Sequence, residues 1–245
     1  MLEGMTPEPQ RRSAAAVNAK HRPHVLWLTG IFAVFAILLG IAPSHRQDWV
    51  LENVLVLPAI LILVAIYRYL PFSRLSWSLV FGFLCLHELG AHYTYSEVPY
   101  EAWWHALTGG SLNALFGWDR NNFDRVIHFS YGLLLAYPVR EIFFHLARVR
   151  GFWSYFLPLD LTMSTSALYE MIEWAAAEVF GGDLGVTYVG TQGDPWDAQK
   201  DMALAAAGAL IALIATALVN WKYQRDFTRE WTDSLRIHPP RDFQT

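Results

Sequence analysis

Apolar residues recur along the chain in six long stretches, approximately 25–42, 50–70, 75–95, 124–147, 154–180 and 197–221, separated by short polar connections. About 20 helical residues cross a hydrocarbon layer of ~30 Å, so each stretch predicts a membrane-spanning helix. Between residues 25 and 222 the stretches leave no room for a second core. The expected organisation is an all-α, polytopic membrane protein: a six-helix transmembrane bundle over 25–222, a polar N-terminal tail at 1–24 and a C-terminal tail at 223–245, polar from Asp226 and frayed. The first stretch follows Arg11, Arg12, Lys20 and Arg22 and so imitates a secretory signal. The segment Ile41-Ala42-Pro43-Ser44-His45 is a poor cleavage site, however, and reads as the end of a span.

Positive charge orients the bundle, because lysine and arginine are retained on the cytoplasmic side. Residues 1–24, Arg68 with Arg74, Arg148 with Arg150, and the tail from Lys222 hold thirteen of the 18; the alternate flanks hold only Arg46, Arg120, Arg125 and Lys200. Both termini are therefore expected in the cytoplasm (N-in/C-in), with the loops at 96–123 and 181–194 outside. Tyr100 to Phe116, rich in tryptophan, is expected as a short amphipathic helix on the outer surface.

Composition narrows the chemistry. Only 16% of residues are charged and 54% are hydrophobic, which suits a bilayer, and the net charge of -4 excludes a broad nucleic-acid-binding field. The single cysteine, Cys85, excludes an intrachain disulfide and a cysteine-rich metal knuckle.

Ionisable residues inside spans are costly unless they face a bundle interior or water, and here they gather toward one side. Span three ends with His87, Glu88 and His92; span four opens with Asp124 and His128; span five carries Glu170, Glu173 and Glu178; Asp194, Asp197 and Asp201 introduce span six. The helical rise puts His87, Glu170, Glu173, His92 and His128 between about 3 and 12 Å outside the midplane. Glu88 with His92, Asp124 with His128, Glu170 with Glu173, and Asp197 with Asp201 each share a helix face. Imidazole and carboxylate at such spacings are ligands for zinc, with iron or manganese behind it. His87, His92, His128, Glu170, Asp124, Asp197 and Asp201 are the candidate metal ligands, and Glu173 and Glu88 the candidate proton-transfer groups. His87 and His92 diverge by about 140° around their helix, unlike the pair of a His-Glu-x-x-His protease. Asp194, before Pro195, reads as the cap of the sixth helix, Asp124 as a possible cap of the fourth, and Arg140 with Glu141 as a cytoplasmic interfacial pair.

Four ordered strings, Leu-His-Glu-Leu-Gly-Ala-His-Tyr-Thr-Tyr at 86–95, Asn-Asn-Phe-Asp-Arg-Val-Ile-His-Phe at 121–129, Tyr-Glu-Met-Ile-Glu-Trp at 169–174 and Gln-Gly-Asp-Pro-Trp-Asp-Ala-Gln-Lys-Asp-Met at 192–202, resemble those of the YjdF-like bacterial inner-membrane proteins. The resemblance spans roughly residues 25–222. It implies an inner-membrane location and a six-helix core, and it carries over no reaction or catalytic residue.

Three functions compete on the residues alone. The first is a metal-dependent membrane enzyme, a hydrolase or transferase acting on a lipid-linked or amphipathic substrate at the outer leaflet, with membrane lipids as its other partners. The second is a proton- or ion-coupled transporter, disfavoured because the inner halves of spans two, four and six are nearly bare of polar groups. The third is a non-enzymatic assembly protein whose charges merely pair.

Overall fold

A computed structural model describes residues 8–180 and 192–235, and the side chains of 15–179 and 192–235. The second predicted external loop falls largely at 181–191, outside the described residues. The described chain is helical throughout: α1 (Glu8–Ile41), α2 (Arg46–Val54), α3 (Val56–Tyr69), α4 (Arg74–His92), α5 (Tyr100–Thr108), α6 (Leu112–Phe116), α7 (Phe123–Leu146), α8 (Trp153–Phe180), α9 (Asp197–Tyr223) and α10 (Phe227–Ser234).

Three segments are long and apolar enough to cross a membrane, Ala15–Ile41, Arg46–Tyr69 and Asp197–Tyr223. The other long helices, α4, α7 and α8, carry most of the ionisable residues named above, which lowers their mean hydropathy. Large apolar side chains cover the outside, among them Leu57, Leu61, Leu107, Val179 and Leu218, whereas Glu52, Glu88, His128, Asp197 and Asp201 are buried. That inversion of the water-soluble pattern suits a chain solvated by lipid.

The second apolar stretch is broken at Leu55 into α2 and α3. Pro58 has no N–H to give to the Val54 carbonyl, and this missing bond sits at the break. Asn18 then fastens α1 to the far end of α3, its amide donating to the carbonyls of Tyr67 (2.6 Å) and Leu70 (2.7 Å). The part of the expected N-terminal tail from Glu8 onward therefore continues α1.

The tightest contact is between α7 and α9. Gly132 lies against the Ala205 carbonyl and the Ala209 amide, and Gly208 against the Phe129 carbonyl, so any Cβ at either glycine would collide with backbone. Ala136, Ala205 and Ala209 beside them are fully buried. Small residues let two helices approach closely without a driving force from water. Because α7 and α9 run parallel, the crossing brings the beginnings of both helices to one level.

Three sequence expectations change. The external amphipathic segment is two helices, not one: Gly109 adopts a left-handed conformation between α5 and α6, and Glu101 rejoins them by accepting from the Leu112 and Asn113 amides, both at 3.0 Å. Arg140 and Glu141 do not pair. The Arg140 guanidinium stacks over the Tyr155 ring at 4.5 Å, while Glu141 accepts from the Ser73 amide (3.0 Å) and the Ser76 hydroxyl (2.6 Å) at the start of α4. The C-terminal tail is not frayed from Asp226, because Phe227 and Trp231 of α10 pack on Tyr155. Pro239 and Pro240 lie outside the described residues.

The α7–α9 crossing yields a prediction. Gly132→Ala and Gly208→Ala should each cost about 1–3 kcal/mol by overpacking, seen as a lower melting temperature in detergent. Gly30→Ala, whose added methyl meets nothing within 4 Å, should not lower it.

Candidate metal centre

On α7 the residues Asp124, His128, Gly132 and Ala136 are spaced by four, and on α9 so are Asp197, Asp201, Ala205 and Ala209. Residues four apart lie on one face, so the glycine–alanine contact that joins the helices also turns both polar pairs toward each other. Asp124, His128 and Asp201 come together there, each offering a ligand atom within 4.8 Å of the others. Asp124 Oδ1 stands 3.6 Å from His128 Nε2, and Glu170 Oε1, brought in by α8, stands 3.5 Å from the same nitrogen. Asp201 Oδ1 and Glu170 Oε1 are buried without a hydrogen-bond partner. Such groups are costly in a low-dielectric interior, and a cation would satisfy both.

Arginines close the end of the site where α7 and α9 begin. Arg120 pairs with Asp197; Arg125 reaches Asp194 at 2.5 Å and Asp197 at 3.5 Å. Lys200 also reaches Asp194, at 2.5 Å. Asp197 is therefore engaged by guanidinium groups although it lies within electrostatic reach of Asp124. Asp194 sits two residues before Trp196, the N-cap of α9, and its Oδ1 accepts from the Trp196 amide at 3.1 Å. It is not the helix cap expected from the sequence, since Trp196 holds that position; it instead ties the start of α9 to α7 through Arg125. Asp124 does not cap α7: Asn122 holds that position, and the Asp124 carboxylate faces His128.

Behind Glu170, Glu173 is buried within electrostatic reach of Asp124 and Glu170. Two acidic residues that the sequence reading passed over join from α2. Glu52 accepts from the Tyr169 hydroxyl at 3.2 Å, and Asp48 accepts from Thr94 at 3.4 Å. They are four apart, the same spacing that singled out the other pairs, but they fell at the edge of the predicted second span.

The structure separates residues that the sequence grouped. His92 is apart from the centre, its Nδ1 2.7 Å from the Leu39 carbonyl of α1. Glu88, one face with His92, is buried toward α1 and α2. Neither is positioned to act with His128, because only the opposite face of α4 looks toward α7. His87 is on that opposite face. It borders a cavity of about 200 Å³ whose walls include Asp124, His128, Tyr131, Tyr169 and the apolar Val56, Phe83 and Ile127. Its Nδ1 lies 2.6 Å from the Tyr95 hydroxyl, and the Glu52 backbone lies within hydrogen-bonding reach of the ring. Thr94 (φ 56°) and Tyr95 (φ 33°) turn through the left-handed region to bring that phenol back, and the ring packs so closely on Gly90 that a Cβ there would collide with it. Glu178, on the last turns of α8, is exposed.

An apolar exterior around buried carboxylates and imidazoles, on helices long enough to span a bilayer, defines an integral membrane protein with a polar interior site. The chain belongs to the family described as predicted membrane protein (DUF2238), whose model matches residues 24–222. It is 34% identical over 192 residues to the inner membrane protein YjdF of Escherichia coli (strain K12), a match that covers 78% of this chain and 88% of that protein. No solved structure matches it.

The Asp194 contacts give a pH prediction. Lys200 first, then the Trp196 amide and Arg125, hold the Asp194 carboxyl down at about 2. A carboxyl depressed in the folded state stabilises fully above its unfolded value near ~4 and loses that contribution as pH falls through the folded value. The melting temperature of the native protein should exceed that of Asp194→Asn from pH 7 to about 4, and the two should converge as pH approaches 2.

Proposed function

We propose that the chain is a six-span, N-in/C-in protein of the bacterial inner membrane that holds a divalent cation through Asp124, His128 and Asp201, with Glu170 beside them, and acts as a hydrolase or transferase on a lipid-linked or amphipathic substrate. The observation that carries this reading is the convergence of three ligand atoms within 4.8 Å, with two buried oxygens lacking partners. In a tetrahedral zinc site with bonds of 2.0–2.1 Å, adjacent ligand atoms are about 3.4 Å apart. The separations of 3.6 and 3.5 Å from His128 Nε2 are close to that spacing. One imidazole among carboxylates suits zinc first, and iron or manganese next.

The cavity supports the substrate class. It abuts Asp124 and His128 and is otherwise mostly apolar, so it accommodates an apolar group next to the charged centre. A bound zinc would bring the pKa of a coordinated water near 7. Glu170 is then placed to take the proton. A phenol is the better donor in a phenol–imidazole pair, so Tyr95 leaves the His87 proton on Nε2 beside the Glu52 backbone, which fixes the ring in the cavity wall. Glu173, buried behind Glu170, is a relay for the proton rather than a ligand. Asp197 positions Arg120 and Arg125 over the centre, where their positive charges favour an anionic substrate head.

Metal analysis of washed, full-length protein tests the reading. Close to one equivalent of zinc, iron or manganese should be retained, with at least tenfold weaker binding in His128→Ala and Asp201→Asn and unchanged binding in His92→Ala. Retention well below one equivalent, with no thermal stabilisation on adding metal back, would overturn it.

Orientation has its own test. With Cys85 replaced, a cysteine at Ser111 should react with a membrane-impermeant thiol reagent on cells with a permeabilised outer membrane, and one at Ser234 should not. The reverse labelling would place the centre on the cytoplasmic side.

A further inference from the structure

Between α1 on one side and α2–α3 on the other lies a lateral groove of about 640 Å³, on the face of α4 that points away from the metal centre. Its walls are apolar for most of their length, with Ala36, Leu57 and Ile60 among them, and Glu88 sits at its base. Glu88 is 2% exposed, and its Oε2 has no hydrogen-bond partner. The indole Nε1 of Trp49, another wall residue, is likewise buried without a partner. Above it the Arg46 guanidinium stands 5.5 Å from the Trp49 ring centroid and donates to the carbonyls of Gly40 (2.6 Å) and Ile41 (2.7 Å).

These polar groups are gathered at one end. There α1 stops, α2 starts and α4 stops, and the Ser44 amide donates to the His92 carbonyl at 2.9 Å to hold the three together. Away from that end the groove is hydrocarbon-like. A ligand filling it has its polar part at the helix ends and its apolar part along α1 and α3, which is the order of a lipid standing in a leaflet.

The polar atoms narrow the headgroup. A buried carboxylate oxygen calls for a donor, preferably a cationic one, whereas an indole N–H calls for an acceptor, and the nearby guanidinium favours a phosphate. We propose that the groove is a binding site for a phospholipid with a primary ammonium headgroup: the ammonium donates to Glu88, the phosphate accepts from the Trp49 indole beside Arg46, and an acyl chain lies along Ala36, Leu57 and Ile60. A choline headgroup has no N–H to give. A glycerol headgroup offers Glu88 only a neutral hydroxyl donor in place of a cation. The site is distinct from the metal centre: Glu88 and His87 are a 100° step apart on α4 and line different cavities that share only the Val56 wall, and no residue of the metal centre lines the groove.

Native mass spectrometry of the full-length protein, offered equal amounts of phosphatidylethanolamine, phosphatidylcholine and phosphatidylglycerol with identical acyl chains, tests this. Retained phosphatidylethanolamine should exceed either competitor by on the order of tenfold, as expected for one charge-assisted contact in an apolar site. Glu88→Gln should erase the preference, Trp49→Phe should reduce it, and His128→Ala should leave it intact. Equal retention of the three lipids, or an undiminished preference in Glu88→Gln, would overturn the proposal. If Glu88→Gln does not fold, Ala36→Phe decides: it fills the groove from α1 and should abolish the preference with the helical circular-dichroism signal unchanged, so a preference surviving in that variant overturns the site.

Discussion

Two helices can bring charged residues to one point inside a membrane only if their backbones approach closely and in a fixed register, and here that condition is met at Gly132 and Gly208. The crossing leaves no room for sliding, because each glycine is covered by backbone of the opposite helix. Everything N-terminal to it on α7 and α9 is thereby set: His128 and Asp124 one and two turns above Gly132, Asp201 one turn above Ala205. α8 needs only to lie beside the pair to add Glu170. Beyond the crossing on the opposite side, Ala136, Ala209 and Leu213 close the bundle around Tyr155. The small residues thus cost little and determine where the expensive ones meet.

The apolar periodicity made the helical class readable from the sequence, along with the approximate places of its long helices, because lipid-facing side chains leave uninterrupted hydrophobic runs. The break at Leu55, the left-handed Gly109 and the docked α10 were not readable. Each depends on a local event, a missing amide at Pro58, a turn, or aromatic rings meeting Tyr155, and none of these alters the average hydropathy. Family membership was legible for a different reason: four ordered strings with polar residues inside apolar stretches resemble the family, whose model matches residues 24–222.

For the centre, spacing by four set Asp124 with His128 and Asp197 with Asp201 on shared helix faces, while depth alone grouped His92 and Glu88 with them. Depth says nothing about azimuth. The angular divergence of His87 and His92 was visible in the sequence, and the structure resolves it by sending His92 to the Leu39 carbonyl and His87 to the cavity. Asp48 and Glu52 obeyed the same spacing rule and were passed over only because they begin a span. The Gly132–Ala136 and Ala205–Gly208–Ala209 pattern was also present and would have fixed which two helices pair. The Arg120 and Arg125 contacts could not be foreseen, since they join a loop residue and the first turn of α7 to the start of α9, 77 and 72 residues away.

The proposed centre at this crossing has a single imidazole, that of His128. X-ray absorption at the zinc edge of metal-loaded full-length protein addresses it directly. A first shell of oxygen and nitrogen at about 2.0–2.1 Å with the multiple-scattering signature of one histidine is expected. Two or more histidines in that shell, or a sulfur shell near ~2.3 Å from Cys85, would contradict it.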